Sequence, residues 1–212
     1  MNYAKLAFTS SIKKLQEQFG SRHNYERMEH FVSSDGLTPR EAQLIAERDS
    51  FYVASIGENE FPYIQHRGGP KGFLKVLDDK TLGFLDFSGN MQYITVGNIQ
   101  TNNRVSLILV DYPRKSRLKI YAEAEVKSLD EAPELVEKLE LDGYKHRPER
   151  IILYHIKAFD WNCPQHITPR YTEEEITAVL EPEKAYLAQL ETENDELRAK
   201  LKKYESLASF NE

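Results

Sequence analysis

The 212 residues, 40% hydrophobic and 29% charged, have the composition of an ordinary globular protein with enough chain for a real core, read as one domain plus an appendage. No apolar run approaches the ~20 residues that span a bilayer, the first residues lack a signal-peptide layout, and the single cysteine, Cys163, excludes an internal disulfide and fits a reducing cytoplasm. The net charge of −6 sits wholly in residues 172–212, which carry eleven acids and five bases, so the body is neutral and broad attraction for nucleic acid is excluded.

In chain order, Leu6, Phe8, Ile12 and Leu15 recur at helical spacing and predict one short helix over 3–18. Residues 21–36 are polar and read as irregular, with Tyr25-Glu26-Arg27-Met28 adding a turn. Thr38-Pro39-Arg40-Glu41 is a capping box with proline at the first helical position, and the helix it opens should end near Arg48-Asp49. The texture then turns to β. Residues 51–56 and 61–66 read as strands across a Gly57-Glu58-Asn59-Glu60 turn, with Pro62 confined to a strand start or an edge. Residues 73–77 and 82–87 form a second hairpin across Asp78-Asp79-Lys80. Tyr93, Val96 and Ile99 predict a helix within 91–100. Residues 104–112 and 117–126 are strong strands joined by Pro113-Arg114-Lys115-Ser116. Ser128-Leu129-Asp130-Glu131 reads as a second capping box opening a helix through Leu135 and Leu139, and residues 150–158 close the sheet as a seventh strand. Short strands linked by hairpins, with few crossover helices, predict an α+β, mainly β fold: a six- to seven-stranded antiparallel barrel with peripheral helices.

The last segment differs. Leu187, Leu190, Leu197, Leu201 and Tyr204 fall on a and d positions of a heptad, with Asn194 at the central a position. Glu193 with Arg198, and Lys200 with Glu205, are opposite charges on facing g and e positions of a parallel pair. The segment therefore predicts a two-stranded coiled-coil helix, against the plainer alternative of an amphipathic helix lying on its own domain. Three regions result: N-terminal helices over 1–50, the barrel over 51–171 and a helical extension over 172–212.

For chemistry, the six histidines are dispersed with no metal-ligand spacing, so no metal is expected. Cys163 near His166 is a possible nucleophile, but free cysteines are more often small hydrophobes. Neither a P-loop nor a G-x-G-x-x-G fingerprint is present. The richest stretch is 61–93. It holds a basic, glycine-broken segment (Gln65, His66, Arg67, Gly68, Gly69, Pro70, Lys71) and a polar run (Asp86, Phe87, Ser88, Gly89, Asn90). Cations and backbone amides at strand ends suit a bound phosphate group; hairpins with solvated charges are the bland alternative. Flavin mononucleotide (FMN) matches the residue set: Arg67 and Lys71 for the phosphate, Ser88, Asn90 and Gln92 as short polar partners, Phe87 and Tyr93 as aromatic surface, and Arg117 and Lys119 alternating onto one face of a strand.

These residues lead to a family. The run 52–126 resembles the FMN-binding split β-barrel of pyridoxamine 5'-phosphate oxidase-related proteins. The likeness is carried by Ala46-Glu47-Arg48-Asp49-Ser50-Phe51-Tyr52, Gln65-His66-Arg67-Gly68-Gly69-Pro70, Gly89-Asn90-Met91-Gln92-Tyr93, Arg117-Leu118-Lys119-Ile120 and Asp160-Trp161-Asn162-Cys163-Pro164-Gln165-His166-Ile167-Thr168-Pro169-Arg170, and it spans roughly 3–175. The resemblance implies a homodimer with FMN at its interface. Most contacts would come from Gln65, His66, Arg67, Lys71, Asp86, Phe87, Ser88, Asn90, Gln92 and Tyr93. Arg117 stands where the oxidases use a Gln, Lys119 lies beside it, and Gln165 and Arg170 lie where the family's C-terminal segment approaches the flavin. The Arg-rich substrate motif and Ser-Arg-Lys phosphate run of the vitamin B6 oxidases are replaced here, which argues against pyridoxamine phosphate as substrate. The expected function is an FMN-dependent oxidoreductase acting on an unidentified small molecule, with NAD(P)H or O2 as redox partner, Gln165 or His166 stabilising charge on the reduced ring, and no catalytic residue assigned. The alternative is a non-catalytic flavin-sensing module that recruits a partner through its coiled coil.

Overall fold

The computed structural model describes residues 2–30 and 35–208, with side chains of the final helix described to residue 203. The chain divides into two compact units, Met1–Thr168 and Pro169–Glu212.

The helix expected over 3–18 is two, α1 (Tyr3–Ala7) and α2 (Ser10–Gln18), because Thr9 adopts an extended conformation and starts α2 afresh. Residues 22–30, read as largely irregular, form α3 (Arg22–His30). Their sequence is too polar to mark a helix by periodicity, and tertiary bonds supply what the pattern lacks. The Asn2 side chain accepts from the Ala4 amide at 2.8 Å to cap α1 and donates to the Met28 carbonyl at 2.6 Å near the end of α3. Glu29 of α3 pairs with Lys13 of α2 at 2.7 Å and with Arg22.

The capping box at 38–41 forms as expected and opens α4 (Pro39–Ala46), with the Thr38 amide donating to Glu41 at 2.9 Å. The other Glu41 oxygen accepts from the Trp161 indole, and the Arg40 guanidinium lies 4.2 Å over the Trp161 ring. Burial alone would raise the Glu41 carboxyl, but the bonds from Thr38 and Trp161 outweigh it and hold the group below its ordinary value. A carboxyl lowered in the fold contributes stability above its unfolded value and loses it as pH falls through the folded one. Glu41→Ala is therefore expected to cost about 2–3 kcal/mol at neutral pH, from a lost cap plus a lost charged hydrogen bond. The deficit should narrow in acid; urea melts at two pH values check both points.

Seven strands follow: β1 (Ser50–Ile56), β2 (Pro62–Gly68), β3 (Lys75–Asp78), β4 (Thr81–Phe87), β5 (Arg104–Asp111), β6 (Ser116–Lys127) and β7 (Pro148–Asn162). They make one sheet in the order β2-β1-β5-β6-β7-β4-β3, with antiparallel neighbours throughout. The sheet is not closed: β2 and β3 are its edges, the split-barrel arrangement expected. Pro62 opens the edge strand β2, where a missing amide does least harm. Register shifts at Tyr121/Ala122 and Asp86/Phe87 mark bulges at which the long strands bend.

The main core is built from inward residues of five strands, Phe51, Leu107, Leu118, Leu82 and Tyr154 among them, with Ile45 of α4 and Phe73. A second cluster covers the other face of β4 and β7, where Leu85, Ile151 and Leu153 meet Leu139 of α6 (Pro133–Leu139). The box at 128–131 does not start α6. Ser128 donates to Glu131 at 2.8 Å, but the helix begins after Ala132, because Pro133 biases the residue before it away from helix and is itself suited to the first helical position. The remaining helix of this unit, α5 (Ile94–Thr101), joins β4 to β5.

In the second unit α7 (Glu173–Ala208) runs 36 residues and starts well before Leu187. Its true start signal is Thr172 with Glu175: the Thr172 amide donates to Glu175 at 2.9 Å and the Glu175 amide to the Thr172 hydroxyl at 3.2 Å. The side chains of Tyr204 and Glu205, part of the heptad reading, lie outside the described residues.

Candidate functional site

Three elements converge at the end of the sheet where β4 leaves it. Strand β2 alternates, presenting Tyr63, Gln65 and Arg67 on one face. Strand β4 ends in Asp86-Phe87, and its pairing with β7 sets Asp86 directly opposite Arg150. From there the chain turns through residues 88–93 into α5. The turn is tight: Asn90 accepts from the Gln92 amide at 3.3 Å, and Met91 and Tyr93 take left-handed conformations with φ of 57° and 54°. Such conformations in bulky residues are uncommon and persist only where surroundings dictate them. Here α5 is fixed at two points, by Thr95 Oγ1 to Gln65 Oε1 at 2.5 Å and Asn98 Nδ2 to Ser55 Oγ at 2.9 Å. The result is a cleft walled by β2, the β4–α5 turn and the start of β7.

Its charge is arranged in depth. Arg67 and Asp86 pair at the floor, with side chains 14% and 6% exposed, and Arg150 Nε lies 3.7 Å from the same carboxylate. Arg150 also pairs with Glu149 and lies 4.9 Å over the Tyr93 ring. Burial raises the Asp86 carboxyl above its ordinary value, opposed by the two guanidinium groups. The Arg67 Nε and the Tyr154 hydroxyl are buried without a partner among the described residues. No side chain caps α5, since Tyr93 at its N-cap makes no such bond, and Ile94, Thr95 and Val96 of its first turn line the cleft. A helix N-terminus without a side-chain cap beside two guanidinium groups brings together the donor types that anion sites use, although each guanidinium here also pairs with a carboxylate. The cavity measures only about 60 Å³, against the roughly 300–1,000 Å³ that encloses a small-molecule ligand. The cleft as it stands therefore does not enclose a ligand of that size.

The glycine-broken segment does other work than expected. The Gly69 amide donates to the Asp49 carbonyl at 2.9 Å and the Gly72 amide to the Arg48 carbonyl at 2.9 Å, so neither is free for a phosphate. Gly69 is glycine because a Cβ there would meet Phe73 at 2.7 Å, and Gly72 because its φ is +79°. The Arg48-Asp49 motif thus locks the turn after β2, and Arg48 is itself anchored to Asp111 at 3.3 Å. Phe73 is only 1% exposed, so Gly69→Ala is expected to destabilise by about 1–3 kcal/mol through overpacking, readable in a thermal melt.

Of the residues singled out in the sequence, Gln65, Arg67, Asp86, Phe87, Asn90, Gln92 and Tyr93 meet in the cleft. His66 points to the other face of β2, edge-on to Tyr52 at 5.3 Å between centroids. Lys71 lies in the turn beyond β2, and Ser88 serves through its amide, which donates to the Arg147 carbonyl at 2.9 Å; neither lines the cleft. Arg117 donates to the Cys163 carbonyl at 2.8 Å; with its amide turned to present oxygen, Asn162 also accepts from this guanidinium. Lys119 pairs with Asp160 at 3.0 Å and lies 4.7 Å over the Tyr3 ring, facing a separate cavity of about 640 Å³ bounded by α1–α3 and the end of β7. Gln165 is exposed, and Arg170 belongs to the second unit. The cleft also contains Met91, which lies within the Gly89–Tyr93 motif but was not singled out, and Tyr63, Thr95, Glu149 and Arg150, which sequence reasoning missed. Only the β4–β7 register reveals Arg150, and no local motif encodes that register.

The family model described as pyridoxamine 5'-phosphate oxidase matches residues 37–156, more than half of the chain. No curated protein matches. Among solved structures, HupZ from Group A Streptococcus is 16% identical with a TM-score of 0.46, over 64% of this chain and 100% of its own. An FMN-binding protein from Syntrophomonas wolfei subsp. wolfei is 13% identical with a TM-score of 0.46, over 73% of this chain and 98% of its own. A protein from Clostridium acetobutylicum related to general stress protein 26, of the pyridoxinephosphate oxidase family, is 18% identical with a TM-score of 0.43, over 65% of this chain and 94% of its own.

Proposed function

The chain belongs to the pyridoxamine 5'-phosphate oxidase family, and from that premise we propose that it binds FMN and acts, as a homodimer, as a flavin-dependent oxidoreductase on a small molecule. One observation carries the reading: the uncapped start of α5 beside Arg67 and Arg150, which suits the FMN phosphate in charge and in donor geometry. Asp86 holds Arg67 in place. Arg150 pairs with Glu149, lies over the Tyr93 ring and stands 3.7 Å from Asp86, against a direct Arg67–Asp86 hydrogen bond, so of the two guanidinium groups it is the one proposed to turn toward a phosphate. Gln65 and Thr95 brace the helix start that supplies the amides. The bound flavin supplies the hydride chemistry, which needs no protein general base.

The homodimer reading is supported by the cleft being too small to enclose a flavin by itself, and by its rim. Met91 and Tyr93 are 68% and 48% exposed, and exposed apolar groups beside an incomplete pocket mark a place for a partner. On this reading Arg117, Lys119, Gln165 and Arg170, which lie outside the cleft, are a second copy's contribution to the ring end of the site. Pyridoxamine phosphate is not the proposed substrate, because the motif that would hold it is replaced by residues 163–170.

The test begins with FMN-loaded protein mixed anaerobically with NADH or NADPH, then exposed to oxygen. Bleaching of the flavin band and its return support the oxidoreductase. A flavin that no nucleotide reduces, in a protein that consumes no oxygen with any small-molecule donor tried, would make it a binding module instead.

A further inference from the structure

Helix α7 carries an exposed apolar stripe. Leu187, Leu190, Leu197 and Leu201 are 58%, 41%, 64% and 59% exposed. All four fall on the a and d positions of one heptad frame. Upstream in the same frame Ile176 (d) and Leu180 (a) are apolar, but Pro182, which removes a helical hydrogen bond, and Glu183, a charge on the next d position, interrupt the stripe before Leu187. From Leu187 onward the seam is apolar except for Asn194 at a. The b, c and f positions are polar or small, and hydrogen bonds there stay on the helix's own surface, as with Gln189 to Glu193 at 3.2 Å and Thr192 to the Ala188 carbonyl at 2.9 Å.

We propose that residues 187–201 pair with the same residues of a second copy of this chain as a parallel, in-register, two-stranded coiled coil. The occupant is argued from complementarity. In a parallel register Asn194 meets its own copy, and each amide satisfies the other across the seam. An antiparallel partner would set a against d and bury that amide against a leucine, at the cost of an unpaired polar group. The flanking charges agree. Glu193 at g faces Arg198 at the following e of the other strand, and by two-fold symmetry the pair occurs twice. A leucine-lined groove of some other protein would leave both the asparagine and these charges without a role. At about two heptads the coil is marginal as a free peptide. On the homodimer reading proposed above it adds a second tether between the copies, where effective concentration does what contact area cannot. The inference stands whether or not the chain binds a flavin.

The test uses the full-length chain carrying Cys163→Ser, so that no native thiol interferes. Leu190→Cys and Leu197→Cys are introduced separately, with Ala199→Cys on the outer f position as control. Facing d positions of a parallel pair lie within disulfide reach, Cα atoms roughly 4.4–6.8 Å apart. Under mild oxidation both leucine positions should convert nearly completely to covalent dimer while position 199 stays monomeric on a non-reducing gel. Cross-linking at one leucine position and not the other would mean an antiparallel or staggered pair and overturn the proposal. So would cross-linking at neither, or equal cross-linking at position 199. Circular dichroism of the reduced variants, expected to match the parent, shows that the helix is intact in each.

Discussion

Arg67→Ala is expected to destabilise the fold by about 3–5 kcal/mol, the range for breaking a buried ion pair from one side. Asp86 is only 4% exposed. Without Arg67 its remaining cation is Arg150, at 3.7 Å and shared with Glu149. The pH dependence follows from the direction of the Asp86 shift, which burial raises. A carboxyl that holds its proton more tightly folded than unfolded favours the fold below its ordinary value and forfeits that contribution as pH rises through the raised one. Removing Arg67 enlarges the loss, so the deficit of Arg67→Ala should shrink toward acid, as that of Glu41→Ala does, here because Asp86 regains its proton. Replacing both partners together, Arg67→Met with Asp86→Leu, should recover most of the loss, because the desolvation of both charges disappears with them. Denaturant melts across pH read all of this without any ligand. An Arg67→Ala protein as stable as wild type would mean the pair is not buried as described.

Arg150→Ala carries the second large effect, on binding more than on folding. It lies at the cleft mouth, its ring contact is with Tyr93, and its loss leaves Arg67 to neutralise Asp86. If Arg150 turns to the FMN phosphate, its removal should weaken FMN by about 1.5–3 kcal/mol, the worth of a charge-assisted hydrogen bond, or roughly 10- to 150-fold. Riboflavin provides the internal control, since it has the ring but no phosphate. The wild type should prefer FMN to riboflavin, and Arg150→Ala should lose that preference chiefly by weakening FMN. Equal loss for both ligands would place Arg150 at the ring or make its role structural.

Much of the fold was legible from local signals with a definite mechanism. The Thr38–Glu41 box, the Gly57–Glu60 turn and the alternation in residues 104–126 each specify one local structure, and each appears where expected. What failed to show was what depends on distant contacts. Helix α3 needs Asn2 and Lys13 to hold it, and the start of α6 is decided by Pro133 more than by the box upstream. The candidate site divides the same way. Residues clustered in sequence, Gln65 with Arg67 and Asp86 through Tyr93, do come together, because one hairpin arm and the exit of a neighbouring strand carry them. Arg150, sixty-four positions beyond Asp86, becomes its neighbour only through a strand register. The glycines beside Arg67 misled for a related reason: a glycine-rich basic run suits an anion, but these amides are spent on Arg48 and Asp49. Several of the motifs that carry the family likeness are accordingly architectural, binding a turn or a strand end, while the cations beside α5 are the ones proposed to meet the phosphate.

The most direct measurement is titration of the purified full-length chain with FMN, followed by quenching of flavin fluorescence and by equilibrium dialysis against riboflavin. The expected result is saturable binding of one FMN per chain, tighter than riboflavin, with both flavins of the dimer released on denaturation. A protein that takes up no FMN, or that binds riboflavin as tightly as FMN, would contradict a phosphate site at the start of α5.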